Sequence, residues 1–411
     1  MAAYVPNPAD PTNPLGSTDA STASAEFRAL KLYLQQQLAA FSPLGNPFRK
    51  NLLDNGNMVI DQRNEGVEVV IPASTAVVFQ KDRWAMRSNG AASGFGGNVG
   101  IQFGGIPIIA NRYQITTPGS SSTTGGFIRQ VIEGPNMALL GWSSNVQGQA
   151  VTLSFIAEAK LPGQYSVCLT DNGQTARYIA PFVILASNVP QFFSITIPGP
   201  PAHFGAFGGG PGTIGMQVIF SMGTQIGADP ALANTWMVGT SGQFGLSNDV
   251  NMQLTASTFD LAQAQLEVGT IASPFEYVPL GDMLRRCQRF CWKTFSQGTA
   301  PAGSLANGQG NLAVTATVAG ASNLLYYVRF PVELFIPIPA ANLNVAAAPS
   351  VTIFNVASIA GQAGVNLSTS IADTASSMVT TTGSIVIVTT ANTANVANNF
   401  HGLHILVDTG F

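Results

Sequence analysis

Residues 151–159 alternate strictly: Val151, Leu153 and Phe155 fall on one side, Thr152 and Ser154 on the other. Side chains along a strand point to opposite faces in turn, so a period of two suits a β-strand and not a helix. Similar short runs recur at 164–169, 178–185, 192–197 and 216–222, separated by Gly, Pro, Asn and Ser. Pro198-Gly199-Pro200 cannot continue a hydrogen-bonded ladder. Many short strands with turn residues between them predict a β-sandwich over 49–280.

Charge is scarce. Asp, Glu, Lys and Arg make up 9% of the 411 residues, against about 25% in an ordinary soluble chain. Hydrophobic residues make up 46%, which excludes a disordered chain. A net charge of −3 gives no field to draw in nucleic acid or an anionic membrane. The first residues, Met-Ala-Ala-Tyr-Val-Pro-Asn-Pro, lack the basic and apolar regions of a signal peptide. No run approaches eighteen uncharged apolar residues, so no membrane insertion is expected. An exterior composition without an export signal fits a protein made in a cytoplasm and released by lysis.

The ends of the chain differ from its centre. Residues 1–20 are rich in Pro, Asn, Asp and Thr and read as an extended arm. A helix is expected over 22–41, where Phe27, Leu30, Leu34, Leu38 and Phe41 form one apolar stripe. Such a stripe buries itself either against sister copies or against the chain's own sandwich. A second helix is expected over 281–295, with Leu284, Cys287 and Cys291 inward and Arg285, Arg286, Arg289 and Lys293 outward or paired with acids. Beyond it, 296–411 carries only Arg329, Glu333, Asp373 and Asp408 as charges and reads as a second β-sandwich, the tip. A surface this neutral is expected to be buried between copies. The three cysteines, Cys168, Cys287 and Cys291, are expected to be buried free thiols.

Two motifs carry a resemblance. The first is Asn51-Leu52-Leu53-Asp54-Asn55-Gly56 running into Ile60-Asp61-Gln62-Arg63, with Lys81-Asp82-Arg83-Trp84 downstream. The second is Ala264-Gln265-Leu266-Glu267-Val268-Gly269, then Ser273-Pro274-Phe275-Glu276 and the basic stretch Met283–Trp292. Together they resemble the opening and closing strands of the jelly-roll, carbohydrate-binding-module-like domain of phage tail fibres and related virion appendages. The resemblance covers about 51–292. It implies that 261–268 closes the sandwich beside 51–60, and that Trp84 packs as core. It also implies attachment to other virion proteins through residues 1–45, a homotrimer joined by Phe27, Leu30, Leu34 and Leu38, and adsorption to a host surface glycan. Related jelly rolls often hold a structural Ca²⁺ between first and last strands. Here its oxygens would come from Asp54, Asn57 and Asp260.

Catalytic patterns are weak. Asp54, Asp61, Glu65 and Glu68 cluster near the opening strand, but glycoside cleavage needs two carboxylates facing across a sugar. There is no Gly-x-Ser-x-Gly elbow, and His203, His401 and His404 stand without a partner pattern. The Gly-rich stretches at 94–100 and 205–215 lack the Lys-Ser/Thr of a phosphate loop. Trp142, Trp236 and Tyr113 are the expected sugar-stacking residues, with Tyr178 a further ring that could stack. The expectation is a fibre or tail-tip protein that binds glycan without catalysis. A purely structural head, neck or baseplate appendage is the alternative, and a capsule-trimming enzyme a distant third.

Overall fold

The computed structural model describes residues 50–411 except 89, 91, 120–124, 143–147, 224–227, 239–243, 300, 302–311, 316–322, 340, 342–349, 360–370, 373, 391–399 and 411. The expected arm and the stripe of Phe27, Leu30, Leu34 and Leu38 therefore lie outside the described residues. The chain divides into two compact units, Met1–Lys50 and Asn51–Phe411. No described helix is long and apolar enough to cross a membrane.

Two antiparallel sheets build the sandwich. The six-stranded sheet runs β1 (Val69–Ile71), β4 (Ser93–Phe103), β5 (Ile106–Thr117), β13 (Ser257–Val268), β7 (Val151–Ala159) and β10 (Gln191–Ile197). The seven-stranded sheet runs β12 (Trp236–Val238), β9 (Ala176–Ile184), β8 (Gly163–Thr170), β11 (Ile214–Ser221), β6 (Phe127–Glu133), β3 (Trp84–Arg87) and β2 (Val78–Lys81). The chain passes back and forth between the sheets, as in a jelly roll. The alternation in β7 does what its pattern requires: Val151, Leu153, Phe155, Ala157 and Ala159 all enter the core. Phe155 meets Phe220 and Phe182 of the facing sheet at 5.0 and 5.1 Å between ring centres.

The opening segment follows β13 without becoming a strand. Leu52 donates to the Leu266 carbonyl at 2.8 Å and Ala264 to that of Gly56 at 2.9 Å. Asn55 and Met58, at φ of 52° and 60°, curl the segment instead of extending it. The Asn55 amide makes this turn stable. It donates to the carbonyls of Ile60 and Asp82 and accepts from the N–H groups of Val59 and Ile60. Trp84 is fully buried, as expected, and its indole N–H reaches the Asn55 carbonyl at 3.0 Å.

The expected linking helix is shorter than 281–295. Helix α1 covers Leu280–Gln288, and the chain then turns into β14 (Cys291–Lys293). β14 pairs with the last strand, β21 (Phe400–Asp408), in a sheet that also holds β15 (Leu312–Thr315), β17 (Ser350–Ile359) and β18 (Ile371–Ala372). A further sheet joins β16 (Asn323–Arg329), β20 (Ser384–Thr390) and β19 (Thr374–Thr380). The stretch 281–295 is thus a seam rather than a spacer. Arg63 grips Asp408 through two bonds of 2.7 and 2.6 Å and reaches Asp82 at 3.1 Å. Lys293 is buried against Glu65, Arg289 holds Glu133, and the Arg83 guanidinium lies 3.3 Å from the Phe290 ring centre. Met283 and Cys287 are the buried residues of α1, and half-buried Leu284 packs inward against them as expected. All three cysteines are buried and free.

Candidate functional site

An aromatic cluster forms at the β12 edge of the seven-stranded sheet. β12 is only three residues long and pairs with β9, which sets Trp236 opposite Tyr178. Trp236 is half-buried, and its indole N–H donates to the Pro198 carbonyl at 2.7 Å. Its ring meets Tyr178 at 5.4 Å, Trp142 at 5.5 Å, Phe207 at 5.5 Å and Phe204 at 6.1 Å, mostly edge to face. Trp142 lies beneath, 3% exposed, its N–H on the Gln149 carbonyl at 2.7 Å. Two glycines allow this approach. A Cβ at Gly148 would stand 2.2 Å from the Trp142 ring, and one at Gly199 would stand 2.0 Å from the Gly148 carbonyl oxygen. The breaker Pro198-Gly199-Pro200 thus accepts the Trp236 N–H at Pro198 and the N–H of Gly148, the residue that backs Trp142, at Pro200.

Such an edge can do one thing well. The rings beneath Trp236 are held at near right angles, so its orientation is fixed before any ligand arrives. A preorganised, half-exposed indole offers a flat apolar face for a ring with axial C–H groups. Phe204 and Phe207, both half-buried, extend it.

The other expected site residues are placed differently. Tyr113 is wholly buried, and its hydroxyl bonds the Arg87 carbonyl at 3.1 Å and the Gln253 amide at 2.9 Å. Burial pushes its phenol above the usual range. It is a core residue, not a ligand contact, because its inward position on β5 faces the sandwich interior. Tyr178 is also nearly buried and supports Trp236 from behind. The two carboxylates of the expected calcium set face different guanidiniums. Asp54 is 3.4 Å from Arg83, and Asp260 is gripped by Arg112 at 2.8 and 2.6 Å. Each carboxylate thus has a guanidinium where a cation would sit. The Asn57 side-chain oxygen is buried with no hydrogen-bond partner. Among the described residues, no group of three or more His, Cys, Asp or Glu is placed to hold a metal ion. Two of the other acids near the opening segment are paired: Asp61 lies 3.9 Å from Lys81, and Glu65 meets Lys293.

A polar row that the sequence did not single out crosses the outer face of the six-stranded sheet. The register sets Arg112 of β5, Asp260 of β13 and Glu158 of β7 side by side. Glu158, 9% exposed, is pushed up to about 7 by burial and by its hydrogen bond and charge contact with Asp260. Phe192 of β10, 53% exposed, lies on the same face opposite Ile156. The available signal was parity: Glu158 stands at a polar position of the alternating strand.

No family model matches the chain, and no curated protein matches it. Among solved structures, it is similar to one described as CBM4 structure and function, at 13% identity, TM-score 0.23, over 39% of this chain and 84% of that one. It is similar to the N-terminal cellulose-binding domain of β-1,4-glucanase C from Cellulomonas fimi, at 15% identity, TM-score 0.21, over 40% and 80%. It is also similar to the family 30 carbohydrate-binding module of cellulase Cel9D-Cel44B from Clostridium thermocellum, at 13% identity, TM-score 0.22, over 49% and 98%. Likenesses at these TM-scores carry no argument, and the fold stands on its strand pairing. The chain is a mainly β protein with a two-sheet sandwich.

Proposed function

We propose that the chain is a phage tail-fibre or tail-tip protein that adsorbs to host surface glycan without catalysis. In this reading it attaches to the virion through residues 1–45 and assembles as a homotrimer through Phe27, Leu30, Leu34 and Leu38. The observation that carries the reading is the half-exposed Trp236 ring, fixed at a sheet edge by Trp142, Phe207 and Tyr178. The Glu158 and Asp260 carboxyls support a non-catalytic role. Asp260 is pinned by Arg112 and stands directly opposite Glu158 in the register, whereas glycoside cleavage needs carboxyls about 5 Å or more apart with a sugar between them. Weak binding at one site is multiplied when several identical copies act together. A glycan array with the full-length oligomer tests this. Retention of at least one host glycan, weakened in Trp236→Ala, is the expected result. If the array stays blank and Trp236→Ala particles adsorb normally, the protein is a structural appendage instead.

A further inference from the structure

Two arginines on the outer face of the seven-stranded sheet lack a counter-charge. Arg87 of β3 is opposite Phe127 of β6, and Arg129 lies two residues along β6. Their guanidiniums stand 4.4 and 4.9 Å from the centre of the buried Phe127 ring. Arg87 donates to the Gly125 carbonyl at 3.1 Å and Arg129 to the Gln217 side-chain oxygen at 3.0 Å. The Nε atom of each is buried with no hydrogen-bond partner. Elsewhere the pattern is the reverse: Arg63, Arg83, Arg112 and Arg289 each face a carboxylate. Among the described residues, Arg87 and Arg129 face none.

A small open pocket adjoins Arg129, lined by Phe79, Arg83, Ala85, Arg129, Val131 and Gly410. Its volume of about 10 Å³ takes one oxygen-sized group, not a sugar ring. We propose that Arg129, supported by Arg87, binds an oxyanion whose terminal oxygen enters this pocket. The chemistry is that of a carboxylate or a sulfate, which a guanidinium binds through parallel, charge-assisted hydrogen bonds. A half-buried charge with no counter-charge is costly, and an arriving anion offsets that cost. In line with this, burial, with Arg87 nearby, pushes the Arg129 guanidinium down to about 10. The site is distinct from the Trp236 edge, so failure of either reading leaves the other standing.

The experiment is thermal unfolding of the full chain at fixed ionic strength, in chloride, sulfate, sodium glucuronate, or chloride with glucose. Sulfate or glucuronate raises Tm by about 1–3 °C over chloride, and glucose does not. A shift with glucuronate alone identifies an acidic sugar as the source; a shift with sulfate alone identifies a sulfate group. Arg129→Gln abolishes the shift yet does not lower Tm in chloride. If Arg129→Gln fails to fold, Arg87→Gln is read the same way, with a reduced shift expected. The proposal is overturned if neither anion shifts the wild-type protein, or if both variants keep the full shift.

Discussion

The sandwich and the C-terminal sheets are built from the same short antiparallel strands but handle charge in opposite ways. Between 51 and 295, cations and carboxylates are drawn inward and paired: Arg63, Lys81, Arg83 and Lys293 are all nearly buried beside acids. Beyond 295, four charged residues remain, and Asp408 of β21 is spent on Arg63 of the sandwich. The C-terminal sheets carry apolar contacts of their own, with Val351, Ile385, Ile387, Ile405 and Val407 buried. Their attachment to the sandwich combines directional ion pairs with aromatic contacts, Phe290 on Phe335 and Trp292 on Phe330. The difference teaches that polar residues here specify which elements meet, while apolar residues fill the sheets.

The largest effect that would break this comparison comes from the seam. Arg63→Ala strands Asp82 and Asp408, both of which face Arg63 at hydrogen-bond distance. Removing one partner of a buried pair costs about 3–5 kcal/mol, because the other charge stays buried. Chemical denaturation should show this loss. A change below about 1 kcal/mol would mean that the seam is solvated and its ion pairs count for little.

Trp84 and Trp236 sharpen the contrast between core and edge. Trp84→Ala should cost about 3–5 kcal/mol of stability, as large-to-small changes in a packed core do. Trp236→Ala removes a half-exposed ring, so its stability cost should be smaller. Its loss should show in glycan adsorption, by about 1–3 kcal/mol if stacking on a sugar resembles stacking on a base. If the Trp236 variant unfolds as readily as the Trp84 variant, the ring is core and the proposed platform is lost.

How much of this was legible in the sequence differs by region. Alternation in β7 and breakers such as Pro198-Gly199-Pro200 announced the sandwich, because strand parity and proline chemistry are local. The role of Trp84 and the meeting of 51–60 with 261–268 came with the motifs. Tyr113 misled because its neighbours in sequence are polar and its partner Gln253 is 140 residues away. Asp54 and Asp260 misled for a similar reason. Their cations, Arg83 in the turn between β2 and β3 and Arg112 on β5, lie far away in sequence, and only the fold brings them together. The seam was invisible for the same cause: Arg63 and Asp408 are 345 residues apart.

The smallest effect tests the outer face of the six-stranded sheet, where Glu158 stands beside a pair already formed, Arg112 with Asp260. Glu158 is raised from an ordinary value near 4.5 to about 7, first by burial and then by its contact with Asp260. A carboxyl raised on folding prefers its proton in the folded state. Its contribution to stability is therefore full below about pH 4.5 and is lost as pH rises to about 7. Arg112, 30% exposed and pinned to Asp260, softens the effect by attracting the ionised form. Glu158→Gln should remove this slope and leave stability at pH 4.5 nearly unchanged. Denaturation midpoints of both proteins across pH 4.5–7 check it. Parallel curves would mean that Glu158 ionises freely and that the row is an ordinary solvated surface.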